Sequence, residues 1–149
     1  MHNLGIRLGR RFERFGLIDD LNRAIDTADI AVNATPQDPP NRAVQLCNLG
    51  NLLSRRFERI GSMDDLNRAI DISDMVVNTT SQDHSDRASW LNNLGDRLSK
   101  RFDRIGSIDN LNRAIDVTNM AVNSTPQDCP NRANRLNCYT SFCRGVGTI

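Results

Sequence analysis

The sequence predicts an all-α fold built from stacked αα-hairpins. Three observations carry that expectation. A 45-residue period runs through the chain, apolar residues fall three or four apart within each period, and helix-ending and helix-starting residues recur at fixed places. Asn3-Leu4-Gly5 returns as Asn48-Leu49-Gly50 and Asn93-Leu94-Gly95. The run Leu21-Asn22-Arg23-Ala24-Ile25-Asp26 returns unchanged at 66–71 and 111–116. Residues 48–92 and 93–137 match at 28 of 45 positions. A fixed period of roughly 20–50 residues marks a solenoid, in which each repeat buries its apolar face on its neighbours. Solenoids present surfaces more often than catalytic pockets, so the period points to a binding module.

The first helix of each repeat follows from its apolar stripe. Ala43, Leu46, Leu49, Leu53, Phe57 and Ile60 are spaced for one face of a helix, and so are Ala88, Leu91, Leu94, Leu98, Phe102 and Ile105. These predict helices over 39–60 and 84–105. Asp38 and Asp83 are the expected N-caps, and Asn41 and Asp86 sit near the positive end of the dipole. Pro39 suits the first helical position, where a missing N–H costs nothing. Gly61 and Gly106 stand where a helix C-terminus wants glycine.

The second helix begins after that glycine. Ser62-Met63-Asp64-Asp65 and Ser107-Ile108-Asp109-Asn110 read as capped starts, whereas the first repeat has Leu17 in place of the serine and loses its cap. Leu66, Ala69, Ile70, Ser73, Val76 and Val77 are the expected inward face, with Leu111, Ala114, Ile115, Thr118, Ala121 and Val122 as their equivalents. Small residues such as Ala69, Ser73 and Ala114 allow close helix approach. These helices should end near Asn78 and Asn123, and Thr-Pro-Gln-Asp (35–38 and 125–128) stops the pattern.

Composition narrows the function. Nineteen basic and eighteen acidic residues give a net charge of +1, which supplies no long-range field for nucleic acid or an anionic membrane. The chain lacks an apolar run of the roughly 20 residues a membrane span needs, and Met1-His2-Asn3-Leu4-Gly5 does not read as a signal peptide. A cytoplasmic setting is the expectation. Cys47, Cys129, Cys138 and Cys143 do not follow the period, so free thiols are expected, with no metal and no cofactor.

Asn93, Leu94, Gly95 and Leu98, followed by Ala114, Ile115, Ala121, Val122 and Pro126, resemble a tetratricopeptide repeat. The longer period resembles the kinesin-light-chain-like subtype. The wording Leu-Asn-Asn-Leu-Gly…Arg-Phe-x-Arg-x-Gly-Ser resembles arrays of filamentous fungi that accompany nucleotide-binding signalling domains or caspase-like CHAT domains. The resemblance covers about residues 1–137. It implies a right-handed superhelix with the first helices lining a concave groove. No phosphate-binding Gly-x-x-x-x-Gly-Lys-Ser/Thr loop is present, and no Cys–His pair stands in a protease context.

Repeats are expected at about 1–38, 39–83 and 84–128, with a partial fourth from 129 and an irregular, divergent tail over 138–149. Met1 falls inside the first helix and register is lost at Cys138. A truncated product is the expectation, marginally stable or self-associating through exposed array ends.

Candidate functional residues lie just off the apolar stripe of the first helices. The resemblance implies that Asn3, Asn48 and Asn93 contact the backbone of a bound peptide, since an amide both donates and accepts. Asn51, Arg55, Asn92, Asp96 and Lys100 share this face, as do Ile6, Gly9 and Arg10. The Arg clusters (Arg10, Arg11, Arg14; Arg55, Arg56, Arg59; Lys100, Arg101, Arg104) read either as a basic ladder or as partners of Asp19, Asp20, Asp64, Asp65 and Asp109. Trp90 is expected to pack on the preceding helix, and His84 has no catalytic partner in the sequence. The expected function is a non-catalytic scaffold that binds a peptide or helix, part of a larger fungal signalling or receptor-like protein. A non-functional truncated product and a weak nucleic-acid binder remain alternatives.

Overall fold

A computed structural model describes residues 2–35 and 39–124, apart from the side chains of His2, Asn3, Glu13, Pro39 and Pro40. Among these residues there are six helices and no strand. They are α1 (His2–Phe15), α2 (Ile18–Ala34), α3 (Pro39–Ile60), α4 (Met63–Thr79), α5 (Arg87–Ile105) and α6 (Ile108–Ser124). The pairs α1–α2, α3–α4 and α5–α6 each pack as an αα-hairpin. The chain forms two compact units: Met1–Thr79, with the first two hairpins, and Thr80–Ile149, with the third. Within the first unit α2 also packs against α3. The expected cap Asp38, the fourth repeat and the tail lie outside the described residues. Among the described residues no helix is long and apolar enough to cross a membrane.

The turn inside each hairpin is the same device three times. Gly16, Gly61 and Gly106 have φ of 67°, 73° and 67°, a left-handed conformation that favours glycine. Their N–H groups donate to the carbonyls of Phe12, Phe57 and Phe102, each at 2.7 Å, which closes the first helix of the hairpin. The next helix starts as the sequence predicts in the second repeat, where Ser62 Oγ accepts from the Asp65 N–H at 3.4 Å. In the first repeat Leu17 makes no side-chain cap.

One helix start departs from the expectation. α5 begins at Arg87 rather than 84, and Asp83 is not its cap. This linker has Ser81 and His84 where the first has Pro36 and Pro39. It retains its backbone donors and folds into two tight turns, His84 N–H to Ser81 O and Arg87 N–H to His84 O, both at 3.1 Å. Ser81 Oγ also accepts from the Asp83 N–H at 3.3 Å.

The core is the pair of predicted stripes with their ends trimmed. Leu46, Leu49, Leu53 and Phe57 of α3 are buried with Leu66, Ala69, Ile70 and Val76 of α4, and Leu91, Leu94 and Leu98 of α5 repeat the pattern with Leu111, Ala114 and Ala121 of α6. Ile60 and Ile105, expected to face inward, are 59% and 58% exposed. Each is the last residue before the left-handed glycine, where the chain turns away from the partner helix. Phe102 and Ile115, also expected inside, are half-buried. Close approach explains the glycine of Asn-Leu-Gly in the third repeat. A Cβ on Gly95 would lie 2.7 Å from Thr118 Oγ1 and 3.3 Å from Val117 Cγ2.

An arginine fastens the two helices of each hairpin. Arg11 Nε and Nη2 donate to the two carboxylate oxygens of Asp20. Arg56 does the same to Asp65, with both bonds at 2.7 Å. In the third hairpin Arg101 Nε donates to Asn110 Oδ1 at 2.9 Å. Asp20, Asp65 and Asn110 are buried, so each arginine satisfies a group that would otherwise be costly to bury. A second arginine bonds carbonyls that precede its own helix. Arg42 Nη1 donates to Val32 O at 3.0 Å and to Thr35 O at 3.4 Å, and Arg87 Nη1 donates to Thr80 O at 3.3 Å. Val32 O, in the last turn of α2, is one of the carbonyls that a helix end leaves without an intrahelical partner.

Three outcomes follow. Arg56→Ala strands the buried Asp65 carboxylate and should cost about 3 kcal/mol in urea unfolding followed by circular dichroism. A loss below about 0.5 kcal/mol would contradict the clamp. Gly95→Ala should lower the thermal midpoint, because Thr118 must move; Gly9→Ala should not, since its Cβ would sit 3.5 Å from Leu52 Cδ2, an ordinary contact. The hydrogen bonds from Arg11, then its charge, hold the Asp20 carboxyl below its usual range despite burial. The stability this contributes is present above the ordinary carboxylate value and is lost as pH falls through the lowered one. Asp20→Asn should therefore flatten the acid limb of the pH–stability profile.

Candidate functional site

Three of the predicted residues meet in one cleft. Asn48, Asn51 and Arg55 lie three and four residues apart on α3, so they form one stripe beside the buried Leu49 and Leu53. Across from them α1 presents Gly5, Ile6, Gly9 and Arg10, and α2 contributes Thr27, Ala28 and Ala31. Gln45 and Leu52 complete the α3 side of an open cleft of about 220 Å³. It belongs wholly to the first compact unit.

Local sequence explains why the cleft exists. Gly5 and Gly9 are one turn apart, so the α1 wall lacks Cβ atoms at two stacked positions. The later repeats carry Ser54 and Ser99 where α1 has Gly9. Thr27 turns its hydroxyl back to Arg23 O at 2.8 Å, and its methyl lies 3.6 Å from where a Gly5 Cβ would sit. The floor is therefore small and mostly apolar, while the α3 side carries amides and Arg10 and Arg55 add positive charge. Pockets for free small molecules usually run from about 300 to 1,000 Å³. This volume suits a side chain of a bound peptide better than a whole metabolite.

The other predicted residues are elsewhere. Asn92, Asn93, Asp96 and Lys100 lie on α5, in the second compact unit, and do not line this cleft. Lys100 Nζ pairs with Asp96 Oδ2 at 2.9 Å, one helical turn away, and Asn92 and Asn93 are half-buried. The side chain of Asn3 lies outside those described. Gln45, Thr27 and Ala31 were not singled out by sequence. Gln45 could have been, since it stands one turn before Asn48 on the same stripe. Thr27 and Ala31 come from a different helix, which a stripe analysis of one helix does not reach.

The Arg clusters divide by position. The middle members, Arg11, Arg56 and Arg101, are the hairpin clamps. Their partners are Asp20, Asp65 and Asn110; Asp19, Asp64 and Asp109, one residue earlier, are exposed. Arg10 and Arg55 line the cleft. Arg14 lies over its neighbour Phe15, 5.5 Å from the ring centre. Each of the first two clusters therefore splits between a hairpin clamp and the cleft.

Trp90 is buried and its ring lies 4.6 Å from that of His84, tilted by 31°. His84 Nδ1 accepts from the Asp86 N–H at 3.1 Å, so the imidazole helps to shape the turn before α5. Among the described residues no three His, Cys, Asp or Glu side chains are grouped to hold a metal ion. Cys47 is half-buried and is not in a disulfide. No protein-family model and no curated protein matches the chain.

Proposed function

We propose that this chain is a protein-interaction scaffold without catalytic activity, of the tetratricopeptide-like kind, and that it takes a peptide or helix against the α1–α3 cleft. The observation that carries this reading is the convergence of Asn48, Asn51 and Arg55 with the glycine wall of α1. Amides can bond a peptide backbone in both directions, and the small floor can receive a side chain. The extended array, with its superhelix and its place in a larger fungal signalling protein, belongs to the same proposal through the resemblance of the repeat. Engagement of the middle arginines in the hairpin clamps argues against a nucleic-acid ladder. The setting we propose is cytoplasmic.

A peptide selected by display against the whole 149-residue chain supplies the probe. Asn48→Ala combined with Arg55→Ala should weaken its binding at least roughly tenfold, as expected when two partner groups lose their bonds. The helical signal and the melting midpoint should change little, because both residues sit at the cleft surface. Unchanged affinity with an intact fold would overturn the assignment of the cleft.

A further inference from the structure

The cleft carries charge of one sign. Nineteen basic and eighteen acidic residues nearly cancel over the chain. Among the described residues that line the cleft there are two arginines and no aspartate or glutamate. Arg10 is exposed and Arg55 is half-buried. Both stand at the same end. α1 ends at Phe15 and α2 begins at Ile18, while α2 ends at Ala34 and α3 begins at Pro39. Connections this short set successive helices antiparallel, so α1 and α3 run in the same direction. Arg10 and Arg55 are one period apart, and each is the last residue of its helix to line the cleft. The other end carries the amides of Gln45 and Asn48, and between the two ends lies the recess left by Gly5 and Gly9. That recess is bounded by Ile6, Ala28, Ala31, Leu52 and the Thr27 methyl, all aliphatic.

We infer that the peptide taken by this cleft carries an aliphatic side chain for the recess and an acidic side chain for Arg10 and Arg55, which presupposes the peptide-binding reading of the cleft. A guanidinium binds a carboxylate through two parallel, charge-assisted bonds, so an acid is the group that this end of the cleft recognises best. Helix and strand geometry set the spacing. From the middle of the Gly5–Gly9 recess to Arg10 the helix rises roughly 5 Å. An extended peptide advances about 3.3 Å per residue. The acid therefore stands one or two residues from the aliphatic residue, and on one side of it only. The equivalent stripe of α5 does not offer this chemistry. Asp96 stands where α3 has Asn51, and Lys100, in the place of Arg55, pairs with it.

Random peptides displayed against the whole 149-residue chain test this, with their C-termini fused so that every carboxylate is a side chain. Peptides that Asn48→Ala no longer captures, with its helical signal unchanged, are the ones that use the cleft. These should share an aliphatic residue with Asp or Glu one or two positions away, on the same side in every sequence. Synthesised with amidated C-termini, they should lose about fivefold in affinity when the acid is replaced by its amide. Arg10→Glu should weaken them roughly tenfold, because attraction becomes repulsion, and a lysine in place of the peptide's acid should restore binding to that variant. Asn48-dependent peptides that lack an acid, or that bind Arg10→Glu unchanged, would overturn the acidic requirement and leave the cleft assignment standing. The lack of any Asn48-dependent peptide would overturn both.

Discussion

The hairpins depend on an arginine that reaches from the end of one helix to the start of the next. A left-handed glycine turns the chain sharply between the two helices. That turn places the second helix's first buried polar residue, Asp20, Asp65 or Asn110, under the apolar layer. A buried carboxylate without a partner costs several kcal/mol. The guanidinium removes that cost with two parallel bonds in the first two hairpins. Glycine and arginine thus act together, the first bringing the helices close and the second making closeness tolerable. Asn110 shows a neutral version, with an Arg101 bond to its carbonyl oxygen and no charge to bury.

Most of this architecture was legible in the sequence because it repeats. Helix number, the closing glycines, the Ser62 cap and most of the core follow from spacing alone. The misses have local causes. Ile60 and Ile105 continue the apolar period, but the period cannot say where the partner helix stops covering them. The late start of α5 follows from His84, whose backbone N–H closes a turn on Ser81 O that a proline at that position, as at 39, cannot make. Arg42 and Arg87 recur with the period, yet only the packing shows them donating to carbonyls beyond their own helix.

The cleft was legible by halves. A stripe on one helix is a matter of counting, and Asn48, Asn51 and Arg55 emerge from it. Which residues face them depends on how three helices meet, which counting does not reach. Lys100 emerges from the same counting on α5, and counting does not show the ion pair it makes with Asp96 one turn earlier.

The repeats differ from one another in an ordered way. Clamping arginines and closing glycines are the same in all three, and they are the residues that hold helices together. Beside them, Ile6, Asn51 and Asp96 occupy one equivalent position, Gly9, Ser54 and Ser99 another, and Arg10, Arg55 and Lys100 a third. A hairpin whose inner contacts are constant can change these outer residues at little cost to its stability, because surface substitutions usually shift stability by no more than about 0.5 kcal/mol. Gly9 illustrates the consequence. The serine of the other repeats would bring a side chain to the α1 wall of the cleft, beside Leu52. The first repeat instead leaves that wall bare, so the same scaffold that is fixed by Arg11 and Gly16 offers a recess there. Chemical variety on a constant frame is what a binding surface requires, and the α1–α3 cleft is where this chain combines the two.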